Sequence, residues 1–307
     1  MSDYFVNLFR IEYERGGGNL KLGFIGFGEV GFELARGLKQ AGLSDIFAFD
    51  PMADDSRYSL LVHGRATEAG VELLSSPVEV VHAAEVIIAA VPGSKALAAA
   101  LALAPALKQG QLYADVSTST ATSKRRMAEA IEVNGALFVD GALMGGLSMQ
   151  HHKVPTLLSG NGSDTFIRLL SPYGMSLTKV SDTAGDAIAI KLIRSIAMKG
   201  LASLAVETLA AATKLGVETA VLRSIEDTLS AASFKDTLDW LITASAVHAE
   251  RQVHEMNDVM LMMQEIGVEP TMTQGTARRL EWLAAKGYKE KFQGKKPHEW
   301  QEVADCW

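Results

Sequence analysis

Apolar residues follow two rhythms along this chain. In the first part they form short blocks, at residues 22–26, 45–50, 71–74, 86–91, 112–116, 136–139, 156–158 and 176–180. Blocks of that length, closed by Gly, Pro, Asp or Asn, predict strands. Between them the pattern predicts helices over 29–41, 77–84, 94–107 and 121–134, the third carrying Pro105 near its end. Strands alternating with helices imply a parallel sheet covered on its faces. The rhythm changes around Asp182. From Gly185 onward, residues such as Leu192, Ile196, Leu204 and Leu215 keep to helical spacing among many alanines, and no strand pattern returns. Gly216 and Gly267 read as helix ends, and Pro270 blocks continuation. The expected organisation is an α/β domain over 20–182 followed by an all-helical domain over 183–307.

The first turn of the α/β pattern carries chemistry. Gly26-Phe27-Gly28-Glu29-Val30-Gly31 joins a strand to a helix, and the next strand ends in Asp50. In such a turn Gly26 permits the tight bend, Gly28 lets the backbone approach a pyrophosphate, and Gly31 lets helix and strand pack closely. The helix start offers unpaired N–H groups and partial positive charge to phosphates. The combination predicts a Rossmann dinucleotide-binding unit, with an ordinary glycine turn as the alternative. A carboxylate at Asp50 suits the ribose diol of NAD and repels the 2′-phosphate of NADP. No arginine follows until Arg57. The expected cofactor is therefore NAD or NADP, with NAD preferred.

Three later strand ends can wall a site on the same edge of the sheet. Val91-Pro92-Gly93-Ser94 can flank the cofactor or simply end a strand. In Asp115-Val116-Ser117-Thr118-Ser119-Thr120, hydroxyls can bind a substrate carboxylate or hydroxyl, or cap the next helix. Asp140-Gly141-Ala142-Leu143-Met144-Gly145-Gly146 reads as a loop whose glycine pair can turn N–H groups toward an anion. Proton transfer needs a further group. Lys191 sits in an apolar helical stretch with Arg194 and Ser195 on its face, where lost hydration would lower its pKa toward a useful range. The competing reading is a lysine that snorkels to solvent.

Composition narrows the classes. The chain has 307 residues, enough for two domains, and its net charge of −7 comes without a basic cluster for nucleic acid. The Ala-rich run over 188–212 is broken by Lys191, Arg194, Lys199 and Glu207, so a membrane span is not expected. The one cysteine, Cys306, excludes a disulfide within the chain, fits a reducing cytoplasm, and leaves no cysteine-based metal site. Residues 1–19 lack a secretory pattern. Glu14-Arg15-Gly16-Gly17-Gly18 is what a purine-rich ribosome-binding site read in frame would encode. A translated leader before a natural start near Leu20 is expected there, or else a flexible arm.

Taken in order, GFIGFGEVG, VPGS, DVSTST, DGALMGG and GDAIAIKLIRS resemble the β-hydroxyacid dehydrogenases, which include 3-hydroxyisobutyrate and 6-phosphogluconate dehydrogenases. The resemblance implies hydride transfer between a nicotinamide and a small β-hydroxy acid, with decarboxylation as a further step open to a β-keto product. It makes Lys191 the acid–base residue. It gives Ser117, with Thr118 beside it, to the substrate, and sets the backbone of Gly145 and Gly146 on the substrate carboxylate. Arg194 and Ser195 stand where the family carries a polar pair ending in Asn, Ala142-Leu143-Met144 replaces A-P-V-S, and His151-His152-Lys153 replaces small residues. These departures resemble a phosphogluconate-dehydrogenase-like branch with a distinct C-terminal domain. With Arg194, Lys199, His248, Arg251 and His254 available, the expected substrate is anionic. A homodimer built through the helical domain is expected. An imine reductase and a non-catalytic nucleotide-binding protein remain as alternatives.

Overall fold

The computed structural model describes residues 19–305 and 307. The expectations for the leader and for Cys306 lie outside the described residues. The chain divides into two compact units, one ending at Arg194 and the other running from Ser195 to Trp307.

The first unit is built on one eight-stranded sheet in the order β3-β2-β1-β4-β5-β6-β7-β8. The strands are β1 (Lys21–Ile25), β2 (Asp45–Phe49), β3 (Glu72–Leu73), β4 (Val86–Ala89), β5 (Leu112–Asp115), β6 (Leu137–Leu143), β7 (Thr156–Ser159) and β8 (Leu177–Ser181). The connecting helices are α1 (Glu29–Gln40), α2 (Ser59–Ala69), α3 (Pro77–Ala83), α4 (Gly93–Leu103), α5 (Ala121–Glu132), α6 (Leu147–Gln150) and α7 (Ser163–Leu170). Strands β1 to β6 pair in parallel, β7 runs antiparallel to β6, and β8 is parallel to β7. The first six strands thus have the order of a doubly wound dinucleotide-binding sheet. Residues β4 and β5 are buried throughout, as strands covered on both faces must be. Side chains alternate between two cores: Leu22, Phe24, Ile88 and Ala114 face one, while Ile25, Ile87, Tyr113 and Phe138 face the other.

Two local expectations are corrected, and two helices are added. Asp140–Leu143 is not loop but the second half of β6, paired with β7 and fully buried. Asp-Gly is a turn signal, and here an antiparallel partner and a buried cation for Asp140 override it. Helices α2 and α7 lie outside the predicted elements; α7 is short, with Phe166 and Leu170 on its buried face. In α2 only Val62, Ala66 and Ala69 are buried, whereas Leu60 is 90% exposed. Helix α4 stops at Leu103, and Pro105 enters a short 3-10 turn, Ala104–Ala106, because its ring cannot continue the α-helix.

The long helix α8 (Asp186–Leu215) starts in the first unit. The second unit continues with α9 (Glu218–Ser230), α10 (Phe234–Glu265), α11 (Thr271–Ala284), α12 (Tyr288–Lys291) and α13 (Trp300–Ala304). Gly216 and Gly267, both with φ +69°, follow α8 and α10 as expected. Among the described residues no helix is long and apolar enough to cross a membrane.

Glu207 interrupts the Ala-rich surface of α8 for a structural reason. Its carboxylate accepts the backbone N–H groups of Met272 at 2.6 Å and Thr273 at 2.8 Å, and the Thr273 hydroxyl at 2.7 Å. It therefore caps α11, whose own cap position is Pro270, a residue with no side-chain acceptor. Burial alone would raise the Glu207 pKa. The hydrogen bonds from Thr273 and from the Met272 and Thr273 backbone outweigh it, and the carboxyl is held below its ordinary value. A group depressed in the folded state adds stability above its unfolded pKa and loses it as pH falls through the folded one. Glu207→Ala is expected to destabilise the protein by about 1 kcal/mol at neutral pH. In urea titrations the gap from wild type should close as the pH drops below the carboxylate range.

Candidate active site

Parallel pairing puts the carboxyl ends of β1, β2, β4, β5 and β6 on one edge of the sheet. The chain leaves β1 toward β2 on one side and has β4 on the other, so a crevice opens beyond β1 and β4. The glycine turn lies there. Gly26 has φ +89°, and a Cβ on it would stand 2.6 Å from the carbonyl oxygen of Ala90. A Cβ on Gly31 would stand 2.5 Å from the carbonyl oxygen of Gly26, so α1 packs onto its own turn only through a glycine. Gly28, at the start of α1, is different: a Cβ there would meet nothing within 4 Å. Its missing side chain leaves open space in front of the N–H groups of Glu29 and Val30, which is the approach a pyrophosphate needs. Asp50 closes the motif. Its carboxylate accepts the N–H of Phe27 at 2.7 Å and of Met52 at 2.8 Å. The residues present therefore fit a dinucleotide.

The turns after β4 and β5 are interlocked. Val91 is half-buried and Pro92 exposed, and a Cβ on Gly93 would overlap the carbonyl of Thr118. Ser117 is buried at 5% exposure, and its hydroxyl has no hydrogen-bond partner among the described residues. Thr120 caps α5 by accepting the N–H of Ser123 at 3.1 Å. The hydroxyl-rich stretch thus divides its labour, with Thr120 as the cap and Ser117 and Thr118 left for other work. The half-buried Lys191 donates from Nζ to Thr118 Oγ1 at 3.2 Å. Gly145 and Gly146 follow β6 and lead into α6. Beyond them, His151 pairs with Glu33 of α1, and His152 is buried against Gly37 of the same helix. Arg194 is exposed at the end of the first unit. Ser195 and Lys199 fall in the second unit, with His248 and His254 exposed on α10 and Arg251 paired to Glu255.

Beneath these turns lies a cluster that the sequence motifs did not single out. Lys124, on α5, is fully buried. Its ammonium lies 3.0 Å from Asp115 Oδ2 and 3.0 Å from Asp140 Oδ1, and donates to the Asp115 carbonyl at 2.6 Å. The other Asp115 oxygen accepts the N–H of Ser117 at 3.0 Å. A signal for Lys124 existed: it shares helical spacing with the buried Met127, Ala128 and Ile131. Burial, reinforced by the Asp115 carboxylate, also pushes the phenol of neighbouring Tyr113 far up, so that it stays neutral.

Fold and turn together define a dinucleotide-binding α/β protein. A profile of the NAD binding domain of 6-phosphogluconate dehydrogenase matches residues 21–173, and a domain of unknown function matches residues 212–283. One similar solved structure is a conserved protein of unknown function described as structurally similar to 3-hydroxyacid dehydrogenases. It is 31% identical, with a TM-score of 0.60, and the match covers 90% of this chain and 100% of that one. Mitochondrial 3-hydroxyisobutyrate dehydrogenase from Mus musculus is 30% identical over 149 residues, 47% of this chain and 42% of the enzyme. An imine reductase from Aspergillus terreus shares the fold with a TM-score of 0.71 at 20% identity, over 91% of this chain and 97% of that one. The chain belongs to the β-hydroxyacid dehydrogenase superfamily.

Gly28 and Gly31 are expected to separate binding from folding. Gly28→Ala should leave the melting temperature unchanged and weaken NAD binding at least about tenfold, an effect of roughly 1.4 kcal/mol. Gly31→Ala should lower the melting temperature as well. Fluorescence titration with NADH and thermal denaturation read the two effects.

Proposed function

We propose that this protein is an NAD-dependent dehydrogenase of a small anionic β-hydroxy acid, with Lys191 carrying the proton. The observation that supports this reading most is the meeting of Lys191 Nζ with Thr118 Oγ1 at 3.2 Å, beside the buried and unpartnered Ser117 hydroxyl. A bound nicotinamide would supply C4 as hydride acceptor or donor. During oxidation the neutral Lys191 amine takes the hydroxyl proton of the substrate as the carbinol carbon loses hydride. In the reverse direction the Lys191 ammonium returns that proton to the carbonyl oxygen. Ser117 and the N–H groups of Gly145 and Gly146 hold the carboxylate, with Thr118 fixing the amine and Arg194 and Ser195 reaching the rest of the substrate. Asp50 favours NAD over NADP, because its carboxylate would face the position of a 2′-phosphate. Decarboxylation after oxidation belongs to the same proposal where the product is a β-keto acid.

The helical unit fits a homodimer. Helix α9 has no buried residue in the described structure, yet Leu222, Ile225 and Leu229 form an apolar stripe along it, and Phe234 at the start of α10 is 76% exposed. An unburied apolar stripe of this kind asks for a partner, and we take a second copy to be that partner. A cytoplasmic setting, with its nicotinamide pool, completes the proposal.

Lys191→Ala is expected to lower kcat by about 10²- to 10⁴-fold while NAD affinity stays within severalfold. Turnover is followed by NADH absorbance across a panel of β-hydroxy acids, with cyclic imines as the contrasting panel. Near-normal turnover in the variant would remove Lys191 from the mechanism, and activity on imines alone would favour the reductase. Leu222→Glu together with Ile225→Glu should give a monomer in sedimentation analysis if the stripe on α9 is the dimer face.

A further inference from the structure

Helix α8 has no residue of its own to cap its first turn. Gly185 precedes it in a left-handed conformation, φ +98°, held against Ala121 at the start of α5. The cap comes instead from the sheet. Ser159 Oγ, on β7, accepts the N–H of Ala187 at 3.0 Å, and Asp140 Oδ2, on β6, accepts the N–H of Ile188 at 2.9 Å. Ser159 also donates to Asp140 Oδ2 at 3.2 Å, and the other Asp140 oxygen faces the Lys124 ammonium. A carboxylate at the start of a 30-residue helix also meets the positive end of its dipole. Lys191 stands one helical turn beyond Ile188.

The same ammonium reaches the opposite wall. Lys124 pairs with Asp115, and Asp115 fixes the N–H of Ser117, next to Thr118. One buried cation is thus connected, through two carboxylates, to the turn that bears Ser117 and Thr118 and to the helical turn that leads to Lys191. The cation, its two carboxylates and the serine are closed to solvent: Lys124, Asp115, Asp140 and Ser159 have 0% exposure. Hydrogen bonds in such surroundings are directional and costly to break, so the network has little freedom to adjust.

We propose that Lys124, Asp140 and Ser159 are positioning residues for Lys191: they set its amine against Thr118 and thereby its proton affinity and reach. This rests on the reading of Lys191 as the proton carrier. None of the three touches the place where a substrate would react.

The test uses two variants of the full chain. Ser159→Ala removes one cap acceptor with little change in volume. Asp140→Asn keeps the shape but turns an amide donor toward either Lys124 or the Ile188 N–H. The first readout needs no turnover: acylation of Lys191 by an amine-reactive reagent, followed by mass spectrometry across pH and referred to the exposed Lys108. In wild type the Lys191 profile should differ from that of Lys108. In both variants it should move toward Lys108, by about threefold or more in rate ratio. The second readout is kinetic: kcat should fall by about tenfold or more with the KM for NAD unchanged. An unaltered Lys191 profile in Ser159→Ala overturns the proposal, whatever happens to the melting temperature. So does a wild-type Lys191 profile that matches Lys108. If Asp140→Asn fails to fold, Ser159→Ala decides alone. A protein inactive on every hydroxy acid would sink the dehydrogenase reading but leave the labelling result to judge the network.

Discussion

A single ammonium buried under the sheet edge organises this molecule. Lys124 brings one positive charge to two carboxylates, Asp115 and Asp140, at 3.0 Å each. Removing one partner from such a cluster leaves an uncompensated buried charge, a change that typically costs about 3–5 kcal/mol. One lysine thus serves two acids. Backbone N–H groups add to it, from Ser117 on one side and from the first turn of α8 on the other. The need to satisfy these charges draws β5, β6, α5 and the start of α8 into one fixed geometry.

The candidate site's edge is a consequence of strand direction. Because β1, β2, β4, β5 and β6 are parallel, their carboxyl ends deliver the glycine turn, Asp50, Val91-Pro92, Ser117-Thr118 and the Gly145-Gly146 pair to the same side. Each turn is then made tight by a missing side chain or by a carboxylate bonded to backbone. Gly26 and Gly31 are required by contact with the fold. Gly28 is required by nothing in the fold, and its open face is the part of the turn left to a ligand.

Much of this was legible in the sequence because the signals were local. Short apolar blocks marked the strands, and the glycine spacing with Asp50 marked the nucleotide turn. The helical period after Gly185 marked the run of helices from α8 onward, and Gly216 and Gly267 marked two of their ends. What escaped was decided at a distance. Asp140-Gly141 looks like a turn until β7 lies beside it, and Ser159 and Asp140 cap a helix that starts far along the chain. Glu207 capping α11 repeats the same device in the helical unit. Lys124 left one faint trace, a lysine placed in register with apolar residues on the covered face of α5. Helix α2 escaped for the opposite reason, since it buries so few residues that its period is lost.

The departures from the family's motifs have mixed meanings. His151-His152-Lys153 has a structural role in docking the segment after the glycine pair onto α1, through Glu33 and Gly37. Arg194, exposed at the end of the first unit, has no structural task of that kind in view. The most direct measurement is a crystal structure of the complex with NAD and a turned-over β-hydroxy acid. The hydroxyl of the acid should lie within hydrogen-bond distance of Lys191 Nζ, with its carboxylate on Ser117 and the glycine pair. An acid bound with its hydroxyl facing any other acid–base group, and Lys191 turned from it, would contradict the mechanism at its centre.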